Sequence, residues 1–247
     1  MSVITVTQNS GAAPTGEILL ISGASTQSLG SAVSGVSVGS GGALYVLSGG
    51  LAIGTDVASG ADVVVGVGMT TATIVSSGGQ EFVTSGGTAV GTTVDSGGYQ
   101  FISSDGVASG SIISALGNLV VYGGATASNA IVGNADVDVD GLLVGATTNE
   151  ADVYVSSGGV ASDTTMQGFG ALWVSAGGIA SDTILDSGFL EVLSGGTASG
   201  SIVSAGEESV MSGGTTGSYY SAHLAFQGPV HPTRLDSAFP RFQAEAA

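Results

Sequence analysis

The chain has 247 residues, 44 of them glycine, no cysteine, and a formal net charge of −17 from 19 acidic residues against two basic ones. Without cysteine there are no disulfides, no thiol catalysis and no Cys-ligated zinc or iron–sulfur centre. So few basic side chains exclude nucleic-acid binding, which needs Lys or Arg at each phosphate. The 43 % hydrophobic content is too high for a disordered chain, and no apolar run is long enough for a membrane-spanning helix.

The N-terminus, Met1 to Ser10, lacks a basic segment followed by an apolar stretch, so it does not read as a cleaved signal peptide. Export, on this reading, uses an uncleaved signal, or the chain is a fragment. Residues 1–39 hold only degenerate half-repeats such as Glu17-Ile-Leu-Leu-Ile-Ser-Gly23 and read as N-terminal coils or a cap.

From residue 40 to 217 a pattern recurs. Gly49-Gly50, Gly86-Gly87, Gly123-Gly124, Gly158-Gly159, Gly177-Gly178, Gly195-Gly196 and Gly213-Gly214 each follow a short apolar run and precede a Thr/Ala/Ser segment. Residues 77–95, 96–114, 115–133, 168–186 and 187–204 are successive or later copies of one unit. A period of about 18 residues means one supersecondary unit stacked many times. Each copy holds strand-like runs, such as Gln80–Val83 and Gly91–Val94, separated by Gly-rich turns. A half-repeat of about nine residues cannot hold a crossover helix, so parallel strands must form by coiling. The expected fold is an all-β, right-handed parallel β-solenoid of about ten coils.

Paired glycines suit corners that need a positive φ or leave no room for a Cβ. Expected inward residues are Val46, Val57, Val64, Ile74, Val83, Val94, Ile102, Ile113, Val121, Ile131, Val139, Val153, Val174, Ile184, Val192 and Ile202. Ala89, Ala108, Ala127, Ala161, Ala180 and Ala198 recur after the turn, as a narrow coil requires. Residues 134–151 replace Ser-Gly-Gly with Asp136-Val-Asp138-Val-Asp140-Gly141. Residues 218–247 carry both His, both Arg and three of the four Pro, and read as a cap, linker or disordered tail.

The unit Ser-Gly-Gly-x-x-x-Val-x-Ser-Gly-Gly-x-Ala-x-x-Thr-x-Val, as in residues 77–94 and 187–203, resembles the AIDA-type repeat of bacterial self-associating autotransporter adhesins. The resemblance covers residues 40–217. It implies a secreted or surface-displayed, outer-membrane-associated β-helical passenger that mediates adhesion, aggregation or biofilm formation. It also implies heptose on Ser/Thr, with Thr88, Thr92, Thr93, Ser109, Ser111, Thr126, Thr164, Thr183, Thr197 and Ser199 as candidate acceptors. Partners are then other copies of the chain, or cell-surface receptors and glycans.

Three constellations are candidates for chemistry. Asp136, Asp138 and Asp140 reproduce the first half of an EF-hand loop, a candidate Ca²⁺ site, but Thr147 stands where the loop's final Glu belongs; the alternative is a solvated acidic face. Asp163 and Asp182 occupy the same repeat position, and turn-capping is preferred to a glycosidase pair because no Lys exists to help bind sugar. His223 and His231 lack carboxylates at metal-ligand spacing, scattered threonines do not make an ice-binding ladder, and Trp173 reads as coil packing. The expectation is a non-enzymatic adhesin without an obligate cofactor. A structural spacer or filament subunit is the first alternative, and a carbohydrate-active solenoid enzyme the second.

Overall fold

The structure, a computed structural model, describes residues 7–8, 18–22 and 25–220. They form a β-solenoid of about ten turns. Among the described residues every element is a strand. Each regular coil contains a long strand, a three-residue strand and a two-residue strand, as in Gln80–Val83, Thr88–Val90 and Thr93–Val94.

Successive coils stack in parallel register. Gln80 pairs with Asp62 one coil before and with Tyr99 one coil after, steps of 18 and 19 residues. The aspartate-rich coil is shorter, with Asp136 pairing to Asp152. Asp140-Gly141 there makes the corner that a four-residue Thr84–Gly87 turn makes elsewhere. At the N-terminal end pairing turns antiparallel: Ile18–Ser22 lies between Ser25–Gly30 and Gly42–Val46. That hairpin covers the edge of the first long strand, which would otherwise offer an open row of backbone donors and acceptors. Parallel stacking of the short strands starts at Ala32–Ser34 and runs to Thr215–Tyr220. Residues 221–247, with His223 and His231, lie outside the described residues.

The corners explain the glycine pairs, with a separate reason for each member, except at Gly123-Gly124, where the second glycine takes the left-handed place and Ala125 the buried one. Gly86 has φ +73°, a left-handed conformation that costs an L-residue with a Cβ about 1–2 kcal/mol. At Gly87 a Cβ would lie 2.1 Å from the Val65 carbonyl oxygen of the coil below. Position one sets the turn, and position two lets the coils close. Another left-handed column stands at the kink between the two short strands, where Gly91, Gly110, Asn129, Asp163, Asp182 and Gly200 occupy equivalent places. Asp and Asn tolerate this conformation better than other residues, so Asp163 and Asp182 are exposed corner residues.

Val67 takes the left-handed position of Gly86 with φ 56° and is mostly exposed. A β-branched side chain is strained there. Val67→Gly is therefore expected to raise stability by about 0.5–1 kcal/mol after the glycine's own entropic cost, read as a shift of the thermal unfolding midpoint.

The core is a single cluster running the length of the coil. Val46, Val57, Val83, Val94, Ile102, Ile113, Val121, Val139, Val153, Val174 and Val192 are buried as expected, as are the six recurring alanines. Five expected core residues are outside it. Val64 is half-buried on the outer face of a long strand, and Ile74, Ile131, Ile184 and Ile202 are exposed, Ile131 by 57 %. Each isoleucine sits between two inward neighbours, as Ile74 does between Thr73 and Val75, and a one-residue slip moves a side chain to the opposite face. The polar neighbours therefore form an internal row: Thr55, Thr73, Thr92, Ser111, Thr164, Thr183 and Ser201 are buried.

Candidate functional site

The most unusual interior group is Glu81, fully buried at a position where most other coils hold Val or Leu and the next coil holds Gln100. Its Oε1 accepts from Thr70 Oγ1 at 2.9 Å; its Oε2 accepts from Thr92 Oγ1 at 2.8 Å and Gln100 Nε2 at 2.9 Å. Burial pushes the carboxyl above its ordinary value, against the lowering effect of these donors. The donors come from its own coil and the two neighbouring ones, so the group ties three coils together. The Oε1 of Gln100 has no hydrogen-bond partner. Nothing about Glu81 opens to solvent, and its role is structural.

The two outer faces differ in chemistry. The outward positions of the short strands carry Met69, Ile74, Val90, Val107, Ile112, Ile131, Leu142, Ile179, Ile184 and Ile202, all exposed, alternating with Thr and Ser. Asp56 is the one carboxylate at an outward short-strand position among the described residues. Asp163 and Asp182 stand at the kink between the two strand series.

The outer face of the long strands is acidic and aromatic. Tyr45, Phe82, Phe101, Tyr154 and Trp173 share one column, and Tyr99 and Phe189 stand in the column beside it. Phe82 and Phe101 stack with centroids 5.1 Å apart, and Tyr99 and Phe101 at 5.6 Å. Tyr154 and Trp173 stack at 6.5 Å with planes 12° apart. Trp173 is thus an outer-face residue, which corrects its expected place in coil packing. The column was detectable in the sequence: Phe82, Phe101, Tyr154 and Trp173 each lie five residues before Gly87, Gly106, Gly159 and Gly178.

The three aspartates lie on this face, but spread along it. Asp136 and Asp138 project outward from the extended strand Asp136–Val139, and Asp140 follows at the corner. Burial, with the charges of Asp136 and Asp140, raises the Asp138 carboxyl above its ordinary value. The Tyr154 hydroxyl is raised by burial and then by Asp152, Asp136 and Asp138. Asp152 pairs in register with Asp136, and its carboxylate accepts a hydrogen bond from the Ala171 amide at 3.0 Å. Glu150 is a left-handed corner residue. Among the described residues no group of three or more His, Asp or Glu side chains converges as a metal ion requires.

The candidate sugar acceptors divide by face. Thr92, Ser111, Thr164 and Thr183 belong to the buried inner row, and their hydroxyls are out of reach in the folded protein. This corrects their inclusion as acceptors and has the same cause as the misplaced isoleucines. Thr88, Thr93, Ser109, Thr126, Thr197 and Ser199 are outward on the short-strand face.

About ten stacked coils with glycine corners, a filled core and two chemically distinct outer faces define a parallel β-solenoid. No family model matches the chain, and no curated protein matches it in sequence. Among solved structures it is similar to a TibC-catalyzed hyper-glycosylated TibA fragment spanning residues 55–350 of that protein, with a TM-score of 0.57 and 25 % identity. The match covers 75 % of this chain and 96 % of that one, and it supports an autotransporter-adhesin-like solenoid.

Proposed function

We propose that this chain is a secreted or surface-displayed bacterial adhesin-like protein that holds copies of itself together through its short-strand face, promoting aggregation or biofilm formation. The supporting observation is the segregation of charge. A chain of net charge −17 repels its own copies wherever carboxylates meet, and among the described residues the short-strand face carries one outward carboxylate, Asp56, whereas the long-strand face carries Asp62, Asp136, Asp138, Asp152, Glu191 and Glu207. Rows of Ile, Val and Thr repeating on successive coils about 4.8 Å apart give many weak contacts that add through effective concentration. The likeness to TibA supports the adhesin reading.

The remaining outward hydroxyls, Thr88, Thr93, Ser109, Thr126, Thr197 and Ser199, are the positions we assign to sugar addition, by analogy with the hyper-glycosylated TibA fragment. They stand among the apolar rows, so modification there would cover part of the same face and temper association.

Association is read by light scattering of the purified chain and by settling of cells displaying it. It is expected to strengthen as salt rises from about 0.01 M to 0.15 M, where the screening length falls from about 30 Å to about 8 Å. The paired substitution Ile112→Asp and Ile131→Asp, on neighbouring exposed positions, is expected to abolish association while moving stability by less than about 1 kcal/mol. A double variant that associates like the parent would remove this face from the function.

A further inference from the structure

The aromatic column on the long-strand face ends abruptly, and the place where it ends is shaped. Trp173 stacks on Tyr154 on one side. On the next coil its column continues not with a ring but with Glu191, and then with Ser209. In the adjoining column Ala171 is followed by Phe189 and then Glu207. Small residues at Ala171 and Ser209 leave a depression of about 300 Å³ between the larger ones. Its wall is therefore an indole no longer covered by an aromatic neighbour, with a phenyl ring diagonal to it and a carboxylate in each column.

We infer that this depression is a binding site for the cationic side chain of a basic peptide, an arginine guanidinium or lysine ammonium held over the Trp173 ring between Glu191 and Glu207. A cation within about 6 Å of an indole centroid is attracted by the ring's negative face, and the flanking carboxylates add charge-assisted hydrogen bonds. Charge complementarity selects this occupant. The chain has no Lys, and both arginines, Arg234 and Arg241, lie beyond residue 220, so no Lys or Arg among residues 25–220 can neutralise these carboxylates. Asp136, Asp138 and Asp152 extend the negative field along the same face. An anionic ligand is repelled. A neutral sugar could use the ring but gains nothing from that field.

Trp173 is the chain's single tryptophan, so its fluorescence reports on this site alone. The full chain is titrated at low salt with tetra-arginine amide, with tetra-glutamate, and with a neutral oligosaccharide, maltohexaose. A saturable change with tetra-arginine only is expected, weakening at least fivefold in the Glu191→Gln/Glu207→Gln double variant. A charge-matched control, Asp95→Asn/Asp105→Asn, removes two exposed carboxylates outside the depression and should keep the parent's affinity, which separates a site from general attraction to an acidic rod. Equal weakening in both double variants overturns the proposal, as does maltohexaose saturating at a lower concentration than the peptide, or a fluorescence that no ligand moves. Self-association through the opposite rows is scored separately with the Ile112/Ile131 variant, so either reading can fail alone.

Discussion

A Gly159→Ala variant is expected to lose about 3 kcal/mol of stability, near the upper end for overpacking, or roughly 6–12 °C in the unfolding midpoint of a chain of this size. The new methyl would sit 2.0 Å from the Val139 carbonyl oxygen and 3.2 Å from that of Ser156. Both obstacles are backbone, and the Val139 oxygen already accepts the Ser156 amide at 3.0 Å in the ladder joining the two coils. Relief requires the coils to separate, which stretches parallel hydrogen bonds on either side. Gly91→Ala is the matched control. Gly91 has φ +66° with nothing within 4 Å of an added Cβ, and Ala72 already occupies the equivalent kink with φ 53°. That substitution should cost only about 1 kcal/mol of conformational strain. Equal losses in the two variants, measured by thermal or denaturant unfolding, would disprove the division of labour between the corners.

Glu81→Gln is expected to stabilise the chain at neutral pH by on the order of 1 kcal/mol, about 2–4 °C, and to flatten its pH dependence. Burial raises the folded-state pKa of Glu81 above its ordinary value of 4.5. A group shifted this way contributes stability that is fully present below the unfolded pKa and is lost as pH rises through the folded pKa. Above that second pH the parent holds a bare carboxylate in the core without a basic partner. The amide carries no charge, Thr70 and Thr92 can rotate to donate or accept, and its N–H gives the orphaned Gln100 Oε1 a donor. Glu81→Ala should instead cost about 3 kcal/mol, since it leaves a cavity and strands three donors. Unfolding midpoints of parent and Glu81→Gln that run parallel from pH 4 to pH 8 would show that Glu81 does not titrate across folding.

The repeat was legible because glycine answers to backbone geometry. At most turns the chain places a residue without a Cβ, with exceptions such as Val67, Asp105 and Leu116, and the spacing of those glycines set the coil length. The inside and outside of the two-residue strands were not legible. A strand such as Ile74–Val75 is too short to show alternation, and hydrophobicity points the wrong way when Thr73 goes in and Ile74 stays out. Four acceptor threonines and serines and four isoleucines were misassigned by that single register step. Glu81 was missed for a related reason: at an inward position whose equivalents are mostly Val and Leu it looks like a surface residue until Thr70, Thr92 and its own equivalent Gln100 are seen around it. The aromatic column needed the copies to be superposed, because Phe82, Phe101, Tyr154 and Trp173 are unremarkable when read singly.

The shortened aspartate coil bears on how far such a rod can reach. Its step of 16 residues, Asp136 to Asp152, does the work that 18 or 19 do elsewhere, yet parallel pairing continues through it in both strand series. Length in residues and height along the axis are therefore uncoupled, with each turn adding about 4.8 Å whatever its corner size. Contacts in a stacked array run only between neighbours, so whole turns can be gained or lost by duplication or deletion without rebuilding the rest. The number of turns then becomes a dial that sets how far the rod extends along its axis, independently of the side chains its faces carry.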